Sequence, residues 1–218
     1  MLRSALLLPS FALVLLACGG GQKPPAEQAP VPQPLRPLAN LAAQRVIVTP
    51  AFSIAAGDAL GWATQIPKPR DYLKSLDDEI AAALGERGLK TQWIYPPDLV
   101  RALKANPTYA VDPYSMGVNV LRNPGIVSGA QLGDPLATQL RTMIALQEGA
   151  RAVLVPVQLH FERTPTGQGI AVLRVALLDG RLGDVRWIGA VRSDPVSELS
   201  PAVLTNLAAH FADLITAP

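Results

Sequence analysis

Side chains that can perform chemistry are sparse in this chain. Of its 218 residues two are histidines, His160 and His210, and one is a cysteine, Cys18. Neither histidine has a second histidine or a cysteine at the short spacings that hold zinc and other transition metals, so no metal centre and no cofactor are expected. A G-x-S-x-G nucleophile elbow, a G-x-x-x-x-G-K-[ST] phosphate loop and a G-x-G-x-x-G fingerprint are all missing from the sequence. The acidic run Asp77, Asp78 and Glu79 reads as the wet side of a helix. What is left for catalysis is a site assembled by the fold from dispersed carboxylates, or His160 with a carboxylate partner, as in a small cell-wall or lipid hydrolase. No catalytic motif supports it, and a non-enzyme is the expectation.

Cys18 belongs to a different chemistry. Met1, Leu2 and Arg3 form a short positive start, and Ala5 to Ala17 is an almost uninterrupted apolar run. That run is shorter than the ~20 residues of a membrane-spanning helix and fits the core of a secretory signal over residues 1–17. It closes on Leu15-Leu16-Ala17-Cys18, followed by Gly19-Gly20-Gly21. This resembles the lipobox of bacterial lipoproteins, which implies cleavage before Cys18 and a lipid anchor, palmitate included, on its sulfur. By the same resemblance glycine at position 19 implies sorting to the outer membrane. Residues 18–44 then carry prolines at 24, 25, 30, 32, 34 and 37, too little apolar surface to fold, and read as a tether on the periplasmic face.

Charge excludes a nucleic-acid partner. The net formal charge is +2. Arg3, Lys23, Arg36 and Glu27 account for all of it, which leaves 16 basic and 16 acidic residues over positions 45–218. A neutral domain lacks the clustered cations that face phosphates. With 49% hydrophobic residues it has ample material for a core.

From residue 45 the pattern alternates. Val46 to Thr49 is a β-branched run stopped by Pro50, and Leu73, Leu76, Ile80 and Leu84 predict a helix over 71–87. Thr91 to Tyr95 reads as a second strand. A helix is expected from Pro97-Asp98 to Ala105, a loop over 108–133, and a helix from Asp134-Pro135 to Glu148. Residues 152–161, 170–178 and 185–192 read as an antiparallel meander, and Ser200-Pro201 opens a last helix. The expected fold is one layered α/β domain, of the α+β sandwich kind, with a mixed sheet and helices packed on it.

Alternation along the meander places Val153, Val155, Val157, Leu159, Phe161, Val185, Trp187 and Val191 on one core face. The other face would carry His160, Glu162, Arg174, Arg186 and Arg192, a polar patch and candidate partner surface. Trp62, in an irregular segment, either joins that surface or covers the sheet edge.

Arg45 to Pro50, Leu76 to Ile80 with Arg87-Gly88, Gly149 to Val155, and above all the D-x-x-x-G-x-V-x-W hairpin Asp179 to Trp187, resemble the TolB amino-terminal-like domains. That fold is shared with the curli secretion lipoprotein and the penicillin-binding-protein activator lipoproteins. The resemblance implies a non-enzymatic periplasmic module that binds an envelope protein, with Asp179 and Gly183 making the turn. The 108–133 loop departs from the compact version, and the apolar insertions of a barrel-forming pore are missing. Self-association into a homo-oligomer is the third class the sequence leaves open.

Overall fold

In the computed structural model the described residues are 36–217, Glu148 excepted. Cys18, the leader and most of the proline-rich segment lie outside them. The strands are β1 (Val46–Val48), β2 (Ala152–Arg163), β3 (Gly169–Asp179) and β4 (Asp184–Arg192). The helices are α1 (Trp62–Gln65), α2 (Pro69–Glu86), α3 (Pro96–Ala105), α4 (Leu136–Ala145) and α5 (Pro201–Asp213). The sheet order is β1-β2-β3-β4, with β1 parallel to β2 and the rest antiparallel. This is the mixed sheet of a single α/β domain: the parallel pair needs the long helical crossover that α2 to α4 supply, and the meander needs only tight turns. No helix among the described residues is long and apolar enough to cross a membrane.

Helices lie against both faces of the sheet. On one, Leu154, Leu159, Leu173, Val175 and Leu177 meet the apolar stripes of α2 and α5. On the other, Val153, Val155, Val157, Ala176, Leu178 and Val185 meet α4 and the 3-10 turn Val118–Arg122. The single core face expected along residues 153–161 is therefore corrected. The register slips between Pro156 and Gln158, so Val157 is an extra residue and Leu159 and Phe161 emerge on the face opposite Val153. Proline has no N–H for the ladder, which is why a bulge sits beside it. A second slip opposite Leu177/Leu178 separates Val185 from Trp187 in the same way.

Two further expectations change. Thr91 to Tyr95 is no strand: only Ile94 bridges β1, its N–H donating to Val46 O and its carbonyl accepting Val48 N–H, both at 2.9 Å. Pro96 starts α3 at once, with Asp98 Oδ2 accepting the Tyr95 N–H at 2.9 Å, so the chain has no room to extend. The packed region also begins before Arg45, because Leu38 and Leu41 are each 1% exposed and belong to the core beneath α5. The β3–β4 turn forms as its residues imply. Asp179 Oδ1 accepts Arg181 and Leu182 N–H at 3.0 and 2.9 Å, and Gly183 adopts φ +71°, a conformation that costs glycine nothing.

Candidate interaction surface

The helices cover only part of the second sheet face. Towards the β2–β3 turn it carries His160, Val172 and Arg192 in one cross-strand row, with Gln158, Arg174 and Ala190 in the row beside it. His160 Nε2 lies 2.9 Å from Glu162 Oε1, and Arg192 Nη2 donates to Glu162 Oε2 at 3.4 Å. His160, Glu162, Arg174 and Arg192 stand together on one sheet face. Arg174 is tied down: its Nε and Nη2 donate to Leu121 O and Asn123 O at 2.8 and 3.2 Å, clamping the end of the 3-10 turn. That turn brings an exposed apolar side chain, Val120, to the same side of the sheet, and Val127 is exposed further along the segment.

Arg186 and Trp62 stand elsewhere. Arg186 is the bulged residue of β4, about 17 Å along the strand from Arg192. Its guanidinium reaches Asp179 Oδ2 at 3.1 Å and Asp184 Oδ1 at 3.0 Å, so it serves the turn. Arg151 Nε meets the same Asp179 oxygen at 2.7 Å. Burial of Asp179 pushes its carboxyl up, but these donors outweigh it and hold the group below the ordinary value. Trp62 is 4% exposed and meets Phe161 edge-on with ring centroids 5.6 Å apart. Asp58 fixes it there by accepting the Leu60, Trp62 and Ala63 N–H groups. Its ring lies where a Cβ on Gly169 would go. It is a core residue that covers the end of β2, unavailable as a partner anchor.

The helix reading missed Asp77. It is 7% exposed, lying in the stripe of Leu73, Ile80 and Leu84. Oδ1 accepts the Ala51 N–H at 2.8 Å, joining α2 to the chain after β1, while Oδ2 is buried with no partner among the described residues. Burial pushes its pKa up to about 7. The signal was available: position 77 is four residues after Leu73 and three before Ile80, on the buried side of a 3.6-residue period. Asp77 lines two clefts, of about 690 and 420 Å³, that Tyr114 also lines.

His160 borders none of the described clefts, and its side chain is 34% exposed beside a Glu162 that is 40% exposed. A histidine–carboxylate pair on an open face cannot enclose a substrate or shed water from it. His210 also serves structure, its Nδ1 standing 2.7 Å from Arg192 O. Among the described residues no cluster of three His, Asp or Glu could hold a metal ion.

No family model matches the chain and no curated protein does, so the TolB-like resemblance rests on its residues alone. Solved structures offer distant similarity. PelC from Paraburkholderia phytofirmans, crystallised as a dodecamer, is 15% identical over 80% of this chain and 91% of its own, with a TM-score of 0.39. The lipoprotein GNA1162 from Neisseria meningitidis is 14% identical over 78% of this chain and 96% of its own, again at 0.39. Similarity at this level carries neither family nor function to the chain.

Proposed function

We propose that this protein is an outer-membrane lipoprotein, anchored through Cys18, whose periplasmic α/β domain works by binding another envelope protein. The observation that carries the reading is the open part of the sheet face: among the described residues His160, Glu162 and Arg192 stand exposed beside exposed Val120, whereas the other face packs against α2 and α5 and the rest of this face against α4 and the 3-10 turn. Exposed polar groups on a rigid sheet beside an exposed apolar side chain offer a protein partner both hydrogen bonds and apolar contact. The same exposure argues against a hydrolase built on His160.

A photo-crosslinking residue placed at Val120 or Arg192, with Glu79 on α2 as control, tests this in the native envelope. One discrete crosslinked protein from both face positions and none from Glu79 is the expected result. Adducts with lipid alone, or equal yields from all three positions, would sink the reading, and crosslinks to the chain itself would replace it with self-association. Loss of palmitate labelling in Cys18→Ser checks the anchor; unchanged labelling removes it from the proposal.

A further inference from the structure

Among the described residues the outer edge of β4 is closed at both ends and bare between them. At its start Gly129 N–H donates to Val185 O at 2.7 Å and Val185 N–H donates to Ala130 O at 2.9 Å. At its end His210 Nδ1 occupies Arg192 O. Ser193 sets the direction of the amides between, because its N–H donates back to Ala171 O of β3 at 2.9 Å. Successive residues of an antiparallel ladder point alternately towards and away from the neighbouring strand. Trp187, Gly189 and Val191 therefore bond β3, and the N–H and C=O of Ile188 and Ala190 point outward. No other strand among the described residues pairs with them.

Sheet edges are ordinarily blunted by charge, proline or a covering segment. Trp187-Ile188-Gly189-Ala190-Val191 carries no charge and no proline. The Trp187 ring lies against Gly189, where a Cβ would collide with it; this shields the flank of the ladder and leaves the edge open. The surrounding charge then selects the occupant. Side chains of Ile188, Ala190 and Arg192 share the sheet face of His160, Glu162 and Arg174, where two guanidinium groups and an imidazole face one carboxylate. A second copy paired through its own β4 would bring an identical cationic face alongside. A strand with carboxylates at every second position meets the exposed guanidinium of Arg192 instead.

We propose that the outer edge of β4, from Ile188 to Arg192, is a strand-addition site for an extended acidic segment of a partner protein. This rests on the domain's being a protein-binding module and names how it binds.

The test uses the full chain in mild detergent, with amide hydrogen exchange read at Ile188 and Ala190 by NMR. The probes are a seven-residue peptide alternating aspartate and valine and its lysine–valine counterpart. The aspartate peptide is expected to slow exchange at both amides at least tenfold and the lysine peptide to leave them unchanged. Ala190→Pro removes an outward N–H the fold does not use and should weaken the aspartate peptide at least tenfold. Arg192→Glu should shift the preference to the lysine peptide. Equal slowing by both peptides, or none by either at millimolar concentration, overturns the proposal, as does protection that grows with the concentration of the chain alone. Crosslinking from Val120 to a partner, without protection at Ile188 and Ala190, would refute strand addition and leave the binding face standing.

Discussion

Replacing Asp77 by asparagine should stabilise the protein at pH 8, although Asp77 makes a buried hydrogen bond. Its folded-state pKa is about 7: burial raises it, the Ala51 N–H opposes, Asp78 raises it further and Lys74 opposes. In the unfolded chain the carboxyl returns to its ordinary 3.8. The folded value is the higher one, so the native state holds the extra proton between them. Stability from this group is full below about pH 4, falls as pH rises, and is exhausted above about pH 7. The interval spans about three pH units at ~1.4 kcal/mol each, or about 4 kcal/mol at most. Asparagine keeps the acceptor for Ala51 N–H and carries no charge.

Urea unfolding followed by tryptophan fluorescence, from pH 4.5 to 8.5 on the native protein and Asp77→Asn, measures the effect. Asp58 and Asp179 are held below their ordinary values, so their contributions are lost only in stronger acid and are common to both proteins. The difference between the two curves isolates Asp77. It should move by about 3 kcal/mol towards the asparagine variant across the window, the rest of the interval lying below pH 4.5. Parallel curves, or an asparagine variant less stable at pH 8, would mean that Asp77 is ionised and partnered in the fold and would defeat the argument.

Three further outcomes follow from the geometry. Asp179→Ala removes the acceptor of two turn N–H groups and two arginines and should cost about 2–4 kcal/mol at pH 7; because its pKa is lowered, the difference should shrink in acid below the ordinary value, as urea midpoints would show. Gly169→Ala drives a Cβ into the Trp62 ring and should cost about 1–3 kcal/mol, with a changed tryptophan emission maximum. Arg174→Ala frees the carbonyls of Leu121 and Asn123 and should speed hydrogen exchange over 118–123 while costing about 1–2 kcal/mol.

Whatever depends on neighbours a few residues apart was readable before the fold was seen. The helix stripes of α2 and α5, the Asp179–Gly183 turn and the meander order each follow from local spacing. So does the shared face of His160, Glu162, Arg174 and Arg192, since each strand keeps strict alternation in its half near the β2–β3 turn. Reading failed where one residue changed the count. Ala152 to Val157 is apolar at every position, a pattern of burial on both faces, and Pro156 marks the place where alternation breaks. The same arithmetic removes Arg186 from the patch, because a bulge rotates it towards Asp179.

Trp62 and Asp77 failed for a different reason, since what decides them comes from far along the chain. Nothing near Trp62 in sequence announces that Phe161 and Gly169 will form its walls, and nothing near Asp77 announces the Ala51 N–H. The Ala51–Asp77 bond ties the two ends of the 51–77 segment together, and Trp62, within it, docks that segment on Phe161 and Gly169 of the sheet. Burying a carboxylate at one of these contacts has a physical consequence: the junction between α2 and the first strand is held by a group that changes charge near neutral pH. A hydrophobic residue at position 77 could fill the space but would leave the Ala51 N–H without its acceptor. The carboxyl therefore supplies a hydrogen bond that packing alone cannot, at the cost of a stability that declines as the pH rises.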